Sequence, residues 1–291
     1  MKISNRAIGF VVVALVYAAS TAVGVVSYVF LPLEQFWLKL LIADVIATVV
    51  TFLFSLMLRN ASVYDPYWSV QPIVIVIAYA IEAKKLNSAQ ILFLVAVLLW
   101  GIRLTANWAY TFHGLEHQDW RYTMLQEKTG KWYPVVNFVG IHLVPTLVVY
   151  GCVLPIAFAY QQSTNLTLKT GNVVGCYAFF VVSVLAVLLQ GVADYQMHVY
   201  RKNRTGNFMQ KGLWKYSRHP NYLGEILMWW GVALSFVCVM PQKWYLIAGA
   251  VANTLLFLFV SIPMADKRQS RKVGWEEYKA HTRMLLPIKK K

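Results

Sequence analysis

Apolar residues run in long uninterrupted blocks, without the two-residue or three-to-four-residue alternation of a half-buried strand or helix. The blocks cover residues 7–31, 36–58, 69–81, 89–112, 135–160, 173–199, 222–239 and 244–262. All but the third come close to or exceed the ~20 residues a helix needs to cross a bilayer. Eight spans are therefore expected, or seven if the third, with Pro72 near its start, only dips into the lipid. The first block follows Lys2 and Arg6 and holds Ala18-Ala19-Ser20, features shared with signal peptides. It continues to Leu31, past a usual signal-peptide core, so a retained span is expected. Pro145 and Pro155 are expected to kink the fifth block.

Composition fits the same solvent. The chain is 58% hydrophobic and 13% charged, against ~25% charged in a soluble domain. Its net charge of +15 is unevenly spread: nine of 27 basic residues lie beyond Pro263 and six between Arg201 and Arg218. Eight spans with both termini inside put 21 basic residues on the cytoplasmic side. Five lie opposite: Lys39, Lys84, Lys85, Lys169 and Lys243. The positive-inside rule then predicts a cytoplasmic C-terminus, in a bacterial inner membrane or the endoplasmic reticulum. A nucleic-acid partner is not expected. The three cysteines, Cys152, Cys176 and Cys238, sit in apolar runs without ligand spacing and read as inert thiols. No repeat or Gly/Ser linker occurs, so residues 1–291 read as one all-α polytopic membrane domain.

Polar residues inside a span are functional candidates. Residues 212–230, GLWKYSRHPNYLGEILMWW, join a basic loop to an apolar helix. Pro220 suits the first helical position, and the amides beside Arg218 and His219 suit a phosphate. Asn221 and Glu225, four apart, share a face. The sixth block ends in Gln190, Asp194, His198 and Arg201, one helical stripe readable as the wall of a polar pocket. Asp44 and Arg103 lie within other spans. His113-Gly114-Leu115-Glu116-His117 matches H-x-x-E-H, but without a clear third ligand an exposed loop is expected and no metal site. No G-x-G-x-x-G occurs, so a dinucleotide would have to lie within the helical bundle.

The order basic–His–Pro–Asn–aromatic–x–Gly–Glu resembles the C-terminal signature of the steroid 5-alpha-reductase family. Asp194 and Arg201, seven apart, match that family's NADPH-lining pair. Trp275-Glu276-Glu277-Tyr278, Arg283 and Leu286-Pro287 resemble its closing pattern. The likeness covers roughly the last hundred residues, with residues 190–291 as the cofactor-binding core. It implies an NADPH site of Asp194, Arg201, Arg218, His219, Asn221, Tyr222, Glu225, Tyr278 and Arg283. Upstream, Asp65-Pro66-Tyr67-Trp68 resembles the place of the substrate-polarising carboxylate, which makes Asp65 and Tyr67 the catalytic candidates. Trp100 stands where those enzymes carry a catalytic Tyr. The implied activity is hydride transfer from NADPH to a conjugated double bond of a 4-ene-3-oxo steroid or related lipid.

Isoprenylcysteine- and phospholipid-type methyltransferases, which use S-adenosylmethionine, share the Arg-His-Pro-x-Tyr-x-Gly core and are the alternative. Asn221 and the Asp194/Arg201 pair favour the reductase, as does Met264-Ala265-Asp266-Lys267 where a paired-Glu string would stand. A transport protein is the third class, with Asp44, Arg103 and Glu225 along a solute path.

Overall fold

The computed structural model describes residues 4–83, 85–161, 170–204 and 206–288. Lys84, Lys169 and Lys289-Lys290-Lys291 lie outside them. The long helices follow the apolar blocks, because in lipid each backbone N–H and C=O must be satisfied within its own segment. They are α1 (Arg6–Phe30), α2 (Phe36–Leu58), α3 (Tyr67–Glu82) and α4 (Ser88–Thr111), then α5 (Trp120–Thr129), α6 (Tyr133–Val136) and α7 (Val144–Gln161). After them come α8 (Thr170–Asn203), α9 (Pro220–Val239), α10 (Ala248–Leu256), α11 (Ile262–Gln269) and α12 (Trp275–His281). Among the described residues no strand forms, only a single parallel bridge between Ser217 and Arg283.

Seven helical segments of the described residues are long and apolar enough to cross a membrane: α1, α2, α4, residues Trp120–Gln161, α8 from Asn172, α9, and Pro241–Gln269. The third block does not qualify. Helix α3 has 16 residues, or ~24 Å at 1.5 Å per residue, short of a ~30 Å hydrocarbon core. The fifth and last blocks each contain a π-helical turn, Asn137–Leu143 and Phe257–Ser261. Each ends two residues before a proline, Pro145 and Pro263. A proline has no N–H to give and crowds the preceding turn, and a widened turn absorbs that misfit.

The chain packs into two compact units, Met1–Leu86 with Leu104–Gln162, and Asn87–Arg103 with Ser163–Lys291. The core of the first unit gathers Val13, Val16 and Tyr17 of α1, Ala47 of α2, and Tyr64, Tyr67, Phe112 and Tyr122. Hydroxyl pairs stitch it inside: Ser20 with Thr51 at 2.9 Å, and Tyr64 and Thr48 with Thr146 at 2.8 and 3.1 Å.

In the second unit α8 and α9 lie along each other over most of their length. Two glycines seven apart on α9 allow it. A Cβ on Gly224 would lie 2.7 Å from the Ala186 carbonyl, and one on Gly231 2.8 Å from the Phe179 carbonyl. Small residues at such crossings let membrane helices approach closely.

Candidate functional site

Three helices, α4, α8 and α9, deliver the deep polar residues of the second unit to one place. Glu225 of α9 is 4% exposed. Its carboxylate accepts from Trp100 Nε1 at 2.9 and 2.8 Å, from Trp229 Nε1 at 3.0 Å and from Gln190 Nε2 at 3.2 Å. Arg103, one turn beyond Trp100, donates to Asp194 at 2.8 Å and to Gln190, and lies 3.7 Å from Glu225. A buried carboxylate is tolerable only with this many donors and a counter-charge. The stripe read from spacing is therefore real at Gln190 and Asp194, and its partners are Arg103 and two indoles.

Trp100 gains a meaning that its sequence position did not give. A tryptophan has one donor and no acceptor, so a buried indole inside a span requires an acceptor. Here that acceptor is Glu225.

Arg218 and His219 are held by another carboxylate. His219 opens α9 as its N-cap, with Pro220 at the first position as expected. Its Nε2 lies 2.8 Å from Asp266 Oδ1, and Arg218 Nη2 lies 3.1 Å from Asp266 Oδ2. Arg218 also fastens the tail, through Nη1 to the Thr282 carbonyl at 2.7 Å and its backbone N–H to the Arg283 carbonyl at 2.9 Å. Tyr222 stacks on the His219 ring, with centroids 5.2 Å apart. Asn221 keeps a buried Oδ1 without a partner among the described residues. Tyr278 packs with Phe208 and Trp275 and donates to the Trp214 carbonyl; burial pushes its hydroxyl above the ordinary tyrosine range. The side chain of Arg283 is exposed. Asp266 is the residue here that the sequence reading passed over, although an acid in a basic tail next to an Arg-His pair was the available signal.

Arg201 lies elsewhere, on the wall of a cavity of about 410 Å³ with Arg204, Arg268 and Lys272. No carboxylate lines it, and Phe208 and Tyr200 supply aromatic surface. Burial, with the neighbouring Arg268 and Arg204, pushes the Lys272 ammonium below its usual range. Tyr278 lines a separate cavity of about 890 Å³ with Lys211, Lys215 and His281. The nine residues implied as one cofactor site have different partners: Asp194 and Glu225 meet Arg103, Arg218 and His219 meet Asp266, and Tyr222 stacks on His219. Arg201 and Tyr278 line two cavities, Asn221 keeps an unpartnered Oδ1 among the described residues, and Arg283 is exposed.

Asp65 and Tyr67 belong to the first unit. Asp65 accepts from Tyr122 Oη at 2.6 Å and lies 4.0 Å from Arg121. Burial still pushes its carboxyl up to about 6. Tyr67 turns the other way, to line an apolar cavity that Asp65 does not reach. Its hydroxyl is buried without a partner among the described residues. The His113–His117 loop is exposed at His113, Glu116 and His117. It is tied down by Asn60 Nδ2, which donates to the Leu115 and His117 carbonyls at 2.9 and 3.1 Å. Among the described residues no group of three or more His, Cys, Asp or Glu is placed to hold a metal.

No solved structure matches the chain. An uncharacterized protein of Schizosaccharomyces pombe is 25% identical over 257 residues, covering 77% of this chain and 70% of the relative. A family described only as a protein of unknown function, DUF1295, matches residues 51–284, a stretch that takes in every candidate residue from Asp65 to Arg283. The chain belongs to the DUF1295 family.

Proposed function

We propose that this protein is a membrane reductase that uses NADPH to reduce a conjugated carbon–carbon double bond in a lipid, a 4-ene-3-oxo steroid or a relative. The observation that carries the reading is the cavity walled by Arg201, Arg204, Arg268 and Lys272. A wall with four cationic side chains suits a polyanion, and guanidinium groups grip phosphate oxygens in pairs. NADPH carries three phosphate groups. S-adenosylmethionine, a net cation, gains nothing from such a wall, so no feature of this site favours the methyltransferase alternative.

NADPH supplies the hydride. Arg201 and its neighbours hold the phosphates, with Asn221 Oδ1 still open to a donor. Arg218 and His219 act through Asp266, fixing the tail that carries Lys272 and Tyr278, and Glu225 and Asp194 hold α9, α8 and α4 in register. The substrate oxygen, on which negative charge gathers, takes its hydrogen bond from the protonated share of Asp65, while Tyr67 faces a different cavity. The charge asymmetry of the loops puts the C-terminus in the cytoplasm, where the cofactor is available.

The test is binding in detergent, followed by tryptophan fluorescence. NADPH is expected to bind and S-adenosylmethionine not to. The double substitution Arg201→Glu with Arg268→Glu should weaken NADPH tenfold or more and leave the thermal midpoint in place. NADPH oxidation should then require an enone lipid. A protein that binds no NADPH refutes the reading.

A further inference from the structure

The first unit holds a cavity of about 350 Å³ between α1, α2 and α3. Its lining follows α3 from Tyr67 to Glu82, a Cα-to-Cα rise of ~22 Å along the helix. Most of the wall is aliphatic: Val25 and Val29 of α1, Leu40 of α2, Val74 and Ile75 of α3. Its small wall residues are Gly24, Ala43, Ala47 and Ala78, and Gly24 lets α1 approach Ala43 and Ala47 of α2 closely.

Its polar atoms are the unusual part. Both carboxylate oxygens of Asp44, the Nε2 of Gln71 and the hydroxyl of Tyr67 are buried with no hydrogen-bond partner among the described residues. All three side chains line this cavity. Asp44 and Tyr67 are 5% and 4% exposed. Tyr67 and Gln71 are four apart on α3, one above the other on the same face. Leaving one buried polar atom unpaired is costly, and more so for a carboxyl group. Four on the walls of one cavity are not a packing accident that a folded chain carries without reason.

The inventory of those atoms states what the guest must offer. In either protonation state Asp44 keeps at least one oxygen that only accepts, Gln71 Nε2 only donates, and Tyr67 does either. A ketone oxygen has no hydrogen for that accepting oxygen of Asp44. An alkyl chain satisfies none of them. A hydroxyl satisfies both sides at once, donating to Asp44 and accepting from Gln71.

We infer that this cavity is a binding site for an elongated aliphatic or alicyclic alcohol, with its hydroxyl held between Asp44 and Gln71 and its hydrocarbon body lying along α3. The site requires no cofactor and does not rest on the reductase reading.

The experiment uses the full chain in detergent with three matched probes, 1-hexadecanol, 2-hexadecanone and hexadecane, each counted as retained ligand by native mass spectrometry. Hexadecanol is expected to be retained one to one, at least tenfold over the other two. Asp44→Leu should abolish that preference and raise the thermal midpoint of the ligand-free protein, because it removes an unpaired buried carboxylate. Gln71→Leu should reduce the preference with a smaller gain in stability. Equal retention of the three probes, or stronger retention of the ketone, would overturn the assignment and leave the polar atoms to water. Unchanged preference in Asp44→Leu would overturn it as well. None of these readings involves NADPH, so the outcome is separate from that of the cofactor test.

Discussion

Replacing Arg103 by Met removes the counter-charge of two carboxylates and keeps an unbranched, apolar stem in its place. Asp194 and Glu225 have side chains only 12% and 5% exposed, and both lie within 4 Å of that guanidinium, at 2.8 and 3.7 Å. Removing one partner of a buried ion pair costs about 3–5 kcal/mol, because the remaining charge keeps its desolvation penalty without its attraction. Here two carboxylates lose the same partner, so the upper part of that range is expected. With ~2.1 cal/mol/K of unfolding entropy per residue, a chain of 291 residues loses a degree of thermal midpoint for each ~0.6 kcal/mol. The expected fall is about 7–8 °C, read from tryptophan fluorescence, for which Trp100 and Trp229 are local reporters on Glu225. The triple variant Arg103→Met, Asp194→Asn, Glu225→Gln should recover at least half of the loss, since it leaves no charge unpaired. A midpoint for Arg103→Met within 1 °C of the parent would show that Asp194 and Glu225 do not depend on Arg103, and the network described above would be wrong.

Two further expectations follow from separate places in the fold. Gly231→Ala puts a Cβ 2.8 Å from the Phe179 carbonyl and against Ser183 Oγ. Overpacking of this kind costs about 1–3 kcal/mol, so the thermal midpoint should fall, whereas Ala at Gly191, where nothing lies within 4 Å, should not lower it. Asp65 should make stability fall with rising pH. Burial holds its folded-state carboxyl at about 6, above the ~3.9 of an unfolded chain. Between those values the folded state keeps a proton that the unfolded state has lost, and stability declines by up to about 3 kcal/mol as pH rises through the window. Asp65→Asn lacks this term, so its midpoint relative to the parent should be higher at pH 7 than at pH 4.5. A difference that does not change with pH refutes the burial of that carboxyl.

The sequence by itself determined the class of this protein and the course of its long helices. Apolar blocks with few charges have only the bilayer as solvent, and within it helices are what a single chain of such blocks can form. Local signals were equally legible: Pro220 opens α9, and Gln190 and Asp194, four apart, reach the same Arg103. The short third block was visible too, but block length alone did not decide whether it crossed; at 16 residues α3 falls short.

Tertiary structure decided the partnerships, because a side chain's sequence neighbours do not specify which helix it will face. Glu225 and Asp194 meet Arg103, and Arg218 and His219 meet Asp266. No periodicity in α8 or α9 encodes residues from α4 or α11. Likewise Asp44, noted in sequence only as a charge inside a span, becomes informative through Gln71 and Tyr67 on another helix. A buried charge announces that a partner is needed; only packing decides whether the chain supplies that partner or leaves the place for a ligand.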